Sequence, residues 1–358
     1  MQAQASIRYF LGANSPQGFY SLYDQLIDPK KAKAIYILKG GAGCGKSTLM
    51  RRVAQQMEQA GKCVEYIHCS ADPESLDGIL IPECNCAVVD GTAPHVSEPQ
   101  FPGVVESYVN LGSCYNRKAL QKAREEILTC MDGYKEHYAR AYRCLRAAAE
   151  IQDDIRSTLI TKEMEEKAAK RARGILAREI GKCGDGHGHV TKRFLRAVTH
   201  RGIVCYYTTA EVLCKRIYVL EDHHFSSHLL LSHLLNGAVS AGLDVILCPS
   251  PMSPELPEHL LIPSLSLAFV TAPSGLVWGR RPYRRIHMTS MADSTLLQHN
   301  KARLRFAQKI SSSLTDEAID SLARAKSMHD KLEALYNPYV DFSEVERIAD
   351  NITAEILE

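Results

Sequence analysis

The sequence predicts an α/β protein built from two similar domains, each a sheet flanked by helices in three layers and extended by a helical appendage. Three observations carry that expectation. Residues 40–47 form a glycine-rich loop set between a strand-like and a helix-like segment. The surroundings of that loop recur about 180 residues later, which marks a duplicated domain and not a short solenoid repeat. Each half then ends in a charged stretch almost free of Gly and Pro.

In the first half, Ile35-Tyr36-Ile37-Leu38 is a short apolar, β-prone run and reads as a buried strand. Leu49, Met50, Val53 and Met57 then recur at helical spacing. Between them stands Gly40-Gly41-Ala42-Gly43-Cys44-Gly45-Lys46-Ser47, the Gly-x4-Gly-Lys-Ser pattern of a phosphate-binding loop. Glycines let backbone N–H groups curl around phosphate oxygens, and the following helix adds the positive end of its dipole. Gly40, Gly41, Gly43, Cys44, Gly45, Lys46, Ser47 and Thr48 are therefore the expected contacts of a nucleoside triphosphate, ATP. Lys46 is expected to reach the β- and γ-phosphates, and the Ser47 hydroxyl to ligate Mg²⁺.

Val64 to Cys69 reads as a second strand and Cys86 to Asp90 as a third, an apolar run ending in a carboxylate. An Asp at that strand end can hold Mg²⁺ opposite the loop serine, so Ser47 and Asp90 form the expected metal pair. Ligands of open α/β sheets bind beyond the strand C-termini, which brings the 68–77 loop to the site's border. His68 and Asp72 are the candidates there for positioning an attacking water or a substrate hydroxyl. As local structure, Asp72-Pro73-Glu74 reads as a capped turn opening a helix. Thr92 and His95 are candidate sensors of the γ-phosphate. Gly91 stands where an ATPase often has Glu, so no general base is assigned.

The second half keeps the pattern and loses the chemistry. Arg216 to Leu220 echoes Ala34 to Leu38, Leu260 to Pro263 echoes Ile79 to Pro82, and Phe194-Leu195 echoes Phe10-Leu11. The loop, however, reads Asp222-His223-His224-Phe225-Ser226-Ser227-His228-Leu229. Its glycines are gone, His228 stands for the lysine, Leu229 for the serine, and Thr271 for Asp90. One nucleotide per chain is expected, with the second domain a non-binding copy.

Residues from Asn116 to about Ile180 and from Asn300 to Glu358 carry amphipathic helical patterns. Asn337-Pro338 breaks the second run, and Asp341 or Ser343 caps its last helix. The expected domains are 1–180, with its helical insert at about 116–180, and 192–358, joined by a glycine-rich linker at 181–191. The chain of 358 residues is 45% apolar and 23% charged with net charge +2. These values fit a globular protein and give no prior for nucleic acid or membrane partners. No apolar run reaches the ~18 residues of a spanning helix, and the N-terminal residues lack a signal-peptide core. The twelve cysteines are scattered and read as reduced thiols of a cytoplasmic protein. A protein partner or a homo-oligomer is compatible with all of this.

The stretches Ile35 to Met50, His68 to Gly78 and Val88 to His95 resemble a family of duplicated P-loop proteins described generally as ATPases. The resemblance runs over essentially the whole chain and implies the fold and ATP binding, with no established substrate. The expected activity is slow Mg-ATP hydrolysis coupled to movement of the helices or of the second domain. The alternatives are a small-molecule or nucleotide kinase and a non-catalytic, ATP-responsive interaction protein. Strand order discriminates between the first two. The 86–90 strand beside the 34–38 strand marks the kinase and GTPase arrangement, whereas a strand inserted between them marks the ATPase arrangement.

Overall fold

The computed structural model describes residues 6–94, 98–181, 186–272 and 281–358. The first half runs β1 (Ile7–Phe10), β2 (Gly12–Ser15), β3 (Gly18–Ser21), β4 (Ala34–Lys39), α1 (Lys46–Gln59), β5 (Glu65–His68), β6 (Leu76–Ile81), β7 (Cys86–Asp90) and β8 (Glu106–Asn110). An arm follows, made of α2 (Arg117–Leu120), α3 (Arg124–Leu159) and α4 (Lys162–Glu179). The second half runs β9 (Val190–Lys192), β10 (Arg196–Thr199), β11 (Gly202–Cys205), α5 (Tyr207–Leu213), β12 (Arg216–Glu221), α6 (Ser227–Ser240), β13 (Val245–Ser250), β14 (Ser253–Ile262), β15 (Leu267–Ala272) and β16 (Arg284–His287). Its arm is α7 (Ser294–His299), α8 (Lys301–Tyr336) and α9 (Phe342–Leu357).

Each half builds a six-stranded mixed sheet. The first has the order β1-β5-β6-β7-β4-β8 and the second β9-β13-β14-β15-β12-β16. The pairings match in direction as well: β4 with β7 and β8, and β12 with β15 and β16, are parallel. The neighbours β6 and β14 are antiparallel on both sides. At the junction of the halves, Phe10 N–H donates to Phe194 O at 2.8 Å and Phe194 N–H donates to Phe10 O at 2.9 Å. That reciprocal pair relates residues at matching positions, as a local two-fold axis would.

Alternation along the strands separates two faces of each sheet. Ile35, Ile37, Ala87 and Val89 turn inward and meet Ile217, Val219, Ala268 and Val270 in one shared core. Tyr36, Leu38, Ile79 and Val88 turn outward under α1 and α9. Tyr218, Leu220, Leu260 and Phe269 turn outward under α4 and α6. Neither half therefore forms a three-layer domain by itself. Helices cover the outer face, and the inner face is closed by the hairpins and the other half.

The helices covering those outer faces are exchanged. The first arm leaves its own half along α3, and α4 docks beside α6 of the second half. The second arm leaves along α8, and α9 docks beside α1 of the first. Tyr218 of β12 donates its hydroxyl to Glu179 of α4, and Tyr36 of β4 donates to Glu355 of α9 at 2.8 Å. Between the halves α3 and α8 lie antiparallel, each about 54 Å long at 1.5 Å per residue. Their seam uses small residues, Ala141, Ala148, Ser311 and Ala318, and a buried Gln152–Ser311 hydrogen bond of 3.1 Å.

Three local expectations change. The turn at Asp72 opens a strand, β6, and no helix. Strand β9 begins at Val190, inside the expected linker. The second-half loop is one residue shorter than the first, because α6 begins at Ser227; the structural counterpart of Lys46 is Ser227. Asp341 is the cap of α9, accepting from Ser343 N and Glu344 N. Among the described residues no helix is long and apolar enough to cross a membrane.

Candidate functional site

The glycine loop 40–45 joins β4 to α1 on the C-terminal side of the sheet. Gly43 (φ 66°) and Gly45 (φ 85°) hold left-handed backbone, which only glycine adopts without strain. Gly45 is the N-cap of α1, and no side chain caps that helix. Among the described residues, no acceptor of the chain bonds the N–H groups of Gly43, Gly45 or Lys46. Donors and helix dipole thus face one point, and no acceptor among the described residues answers them.

Around that point the expected residues gather. Lys46 Nζ donates to Gly40 O at 2.9 Å and Gly41 O at 2.8 Å, and lies 3.7 Å from Asp90 Oδ2. Parallel pairing of β4 with β7 sets Leu38 opposite Asp90 and so brings the carboxylate to the loop. Asp90 Oδ1 accepts from Thr92 N at 2.8 Å and Thr92 Oγ1 at 2.6 Å, which fixes the carboxylate and joins Thr92 to it. Ser47 Oγ accepts from Leu76 N at 3.0 Å. Cys44 is buried under the loop, its Sγ directly beneath Gly40, while Thr48 is exposed. His95 lies outside the described residues.

His68 stands apart from this group. It ends β5, and both β6 and β7 lie between β5 and β4. Its Nδ1 is 2.7 Å from Pro73 O, and its Nε2 has no partner. Burial lowers its pKa to about 4, so the ring is neutral. It lines a cleft of about 600 Å³ with Arg8, Arg51 and Tyr66, to which Lys46 does not contribute. Asp72 is held by a partner that the sequence did not suggest: Lys326 of α8, whose Nζ is 3.3 Å from Asp72 Oδ2.

That partner belongs to a roof supplied by the second arm. A Cβ placed on Gly43 would meet Asn337 Oδ1 at 2.6 Å and the Glu333 backbone at 3.1 Å; one on Gly45 would meet Val345 at 3.3 Å. The Tyr115 hydroxyl oxygen accepts from Gly41 N at 2.8 Å, and its ring lies 5.5 Å from that of Tyr336. Any side chain at Gly43 would push α8 off the loop. Sequence separation hid Glu333, Asn337 and Val345, which lie about 300 positions away and carry no motif.

At the equivalent place in the second half, the chain answers its own helix. Asp222 accepts from Ser227 N at 2.6 Å, His224 N at 3.0 Å and Ser226 Oγ at 3.2 Å. Its carboxylate occupies the N-terminus of α6. Phe225 retains a left-handed backbone (φ 59°) without being glycine, its ring packed with Ile155, Leu159 and Leu304. Thr271 sits opposite Leu220, in the register position of Asp90.

Residues 20–85 match the family model of the Nephrocystin 3 N-terminal region. That span includes the glycine loop and α1 but less than a fifth of the chain. No curated protein and no solved structure matches the sequence.

Proposed function

We propose that the first half binds ATP with Mg²⁺ at the glycine loop and slowly cleaves its terminal phosphoanhydride bond. The second half is then a copy of the same fold that has lost its nucleotide site. The observation that carries this reading is the contrast between two equivalent helices. The N-terminus of α1 has unmet donors, two left-handed glycines and the Lys46–Asp90 pair, whereas Asp222 already fills that of α6. A triphosphate would take the place that Asp222 takes in the other half. The residue set fits the ion as well: Ser47 and Asp90 are oxygen donors suited to Mg²⁺, which when bound would neutralise phosphate charge. The reduced thiols found among the described residues agree with a cytoplasmic protein. Nothing in the charge balance favours a nucleic acid.

One observation favours a second reading, transfer of the phosphoryl group to a small acceptor. The strand carrying Asp90 lies directly beside the loop strand, with none between them, as in the kinase and GTPase arrangement. A single-turnover experiment with Mg-ATP tests both. Phosphate release without an added metabolite supports hydrolysis. Release only in the presence of one member of a metabolite panel supports transfer. Tight binding with no bond cleavage leaves the non-catalytic reading, and absence of ATP binding ends all three.

A further inference from the structure

The loop's roof carries a row of chemistry that neither the motif nor the first half supplies. Lys326, His329 and Glu333 follow one another on α8 at helical spacing of three and four, so they share a face. The first end of that row is the Lys326–Asp72 ion pair. The last is the Glu333 backbone, against Gly43. His329 lies between, its Nδ1 3.7 Å from Glu333 Oε1 and its ring 5.9 Å from that of Tyr134. The row therefore crosses the edge of the glycine loop from Asp72 to Gly43. His329, Asp330 and Glu333 have the atoms to hold a metal, but the ammonium of Lys326 already bonds Asp330 and is the cation of that cluster.

We propose that His329, oriented by Glu333, is the general base of the site in the first half, donated to it by the second half. The inference rests on the reading above that this site cleaves ATP, whether the acceptor is water or an alcohol. The Glu333 carboxylate beside Nδ1 favours the tautomer with hydrogen on Nδ1, which leaves the Nε2 lone pair as the base. As an acceptor oxygen, of water or of an alcohol, bonds to the γ-phosphorus, its proton passes to Nε2. The bond from the γ-phosphorus to the β–γ bridging oxygen breaks, and ADP leaves with that electron pair. Glu333 stabilises the imidazolium until the proton passes to solvent. The surroundings agree with a base that is free to act at neutral pH. Burial lowers the His329 pKa and the charges of Lys326 and Lys46 add to that, against Glu333 and Asp330.

The test compares wild type with His329→Ala and Glu333→Gln in three measurements: affinity for a slowly hydrolysed ATP analogue with Mg²⁺, single-turnover rate, and the response of that rate to added imidazole. The expected result for His329→Ala is affinity within about threefold of wild type, a rate about 10²–10⁴ lower, and partial restoration by imidazole, as loss of a positioned base predicts. Glu333→Gln is expected to keep affinity and lose about tenfold in rate, without imidazole response. A folded His329→Ala protein with the wild-type rate overturns the assignment alone. Loss of rate together with affinity, and no rescue, shows a packing role and also overturns it. A wild-type protein that binds the analogue but cleaves no ATP, with or without the metabolite panel, removes the ATP-cleavage reading and the base with it.

Discussion

At the residue scale, Lys46 and Asp90 divide the work that the site implies. Lys46 is a cation in a loop whose carbonyls already hold it in place. Lys46→Ala is therefore expected to leave thermal stability nearly unchanged. It should abolish ATP turnover, because a charge-assisted contact of this kind contributes about 2–4 kcal/mol in a transition state. Full turnover in a folded Lys46→Ala protein would mean that the loop is not the site. Asp90→Asn keeps the Thr92 bonds within reach of the amide oxygen but removes the charge. The expected outcome is ATP affinity that no longer responds to Mg²⁺, measured by titration with and without the ion. That these two side chains lie close together was legible in the sequence, because motif and strand end lie on elements that pair directly. The two strands between His68 and the loop strand were not legible, since a strand's terminal position says nothing about how many strands separate it from the loop. Nor could Glu333 or His329 be read, because helix periodicity names a face without naming what the face meets.

At the element scale, the informative comparison is between α1 and α6. Asp222→Ala removes three hydrogen bonds from the start of α6. Loss of such a cap typically costs about 0.5–2 kcal/mol, so a lowered urea midpoint is expected, with no change in ATP affinity. An unchanged midpoint would show that α6 does not need the carboxylate. A second element, α4, is held by Glu179. Burial raises the pKa of this carboxyl, but the Tyr218 hydroxyl and the Arg178 and Arg216 guanidinium groups outweigh burial and hold it below the ordinary value. A depressed carboxylate contributes stability above its unfolded pKa, about 4.3, and loses it as pH falls through the folded pKa. The stability difference between wild type and Glu179→Gln should thus be full at pH 7 and shrink below about pH 4, measured by urea unfolding; a difference that grows in acid would contradict the sign. Among elements, α1, the arms and the strands ending at His68 and Asp90 were legible from periodicity. Strand β6 was not, because Asp77 and Gly78 are poor strand formers. They are tolerated there for reasons that require the fold: Tyr23 donates to Asp77 at 2.9 Å, and Gly78 lies close under the Val88 carbonyl.

At the scale of the whole molecule, two predictions follow from the same plan. Calorimetric titration with a slowly hydrolysed ATP analogue should give about one nucleotide per chain, since Asp222 fills the other helix N-terminus. A ratio near two that Asp222→Ala leaves untouched would overturn the reading of the second half. Cutting the chain at an engineered protease site within residues 182–185 should leave two fragments that co-elute, each supplying the helix that covers the other's sheet. Fragments that separate without denaturant would show that the crossed arms contribute little. The likeness of the halves was legible from the recurring strands, but the exchange was not. Two outer sheet faces of similar make-up, Tyr36 and Leu38 on one and Tyr218 and Leu220 on the other, give an apolar helix no sequence-level reason to choose either.

The crossed arms also set a timetable. Arg52 of α1 and Asp350 of α9 are paired at 2.7 Å across a separation of 298 positions. At roughly 5–20 residues per second, a ribosome needs about 15–60 s to make the second partner after the first. Through that interval Met50, Val53 and Met57 can find each other and the sheet, but the ledge on α1 that α9 will cover stays wet. A nascent first half is an incomplete object, with an apolar flank that stays open to water until α9 has been made.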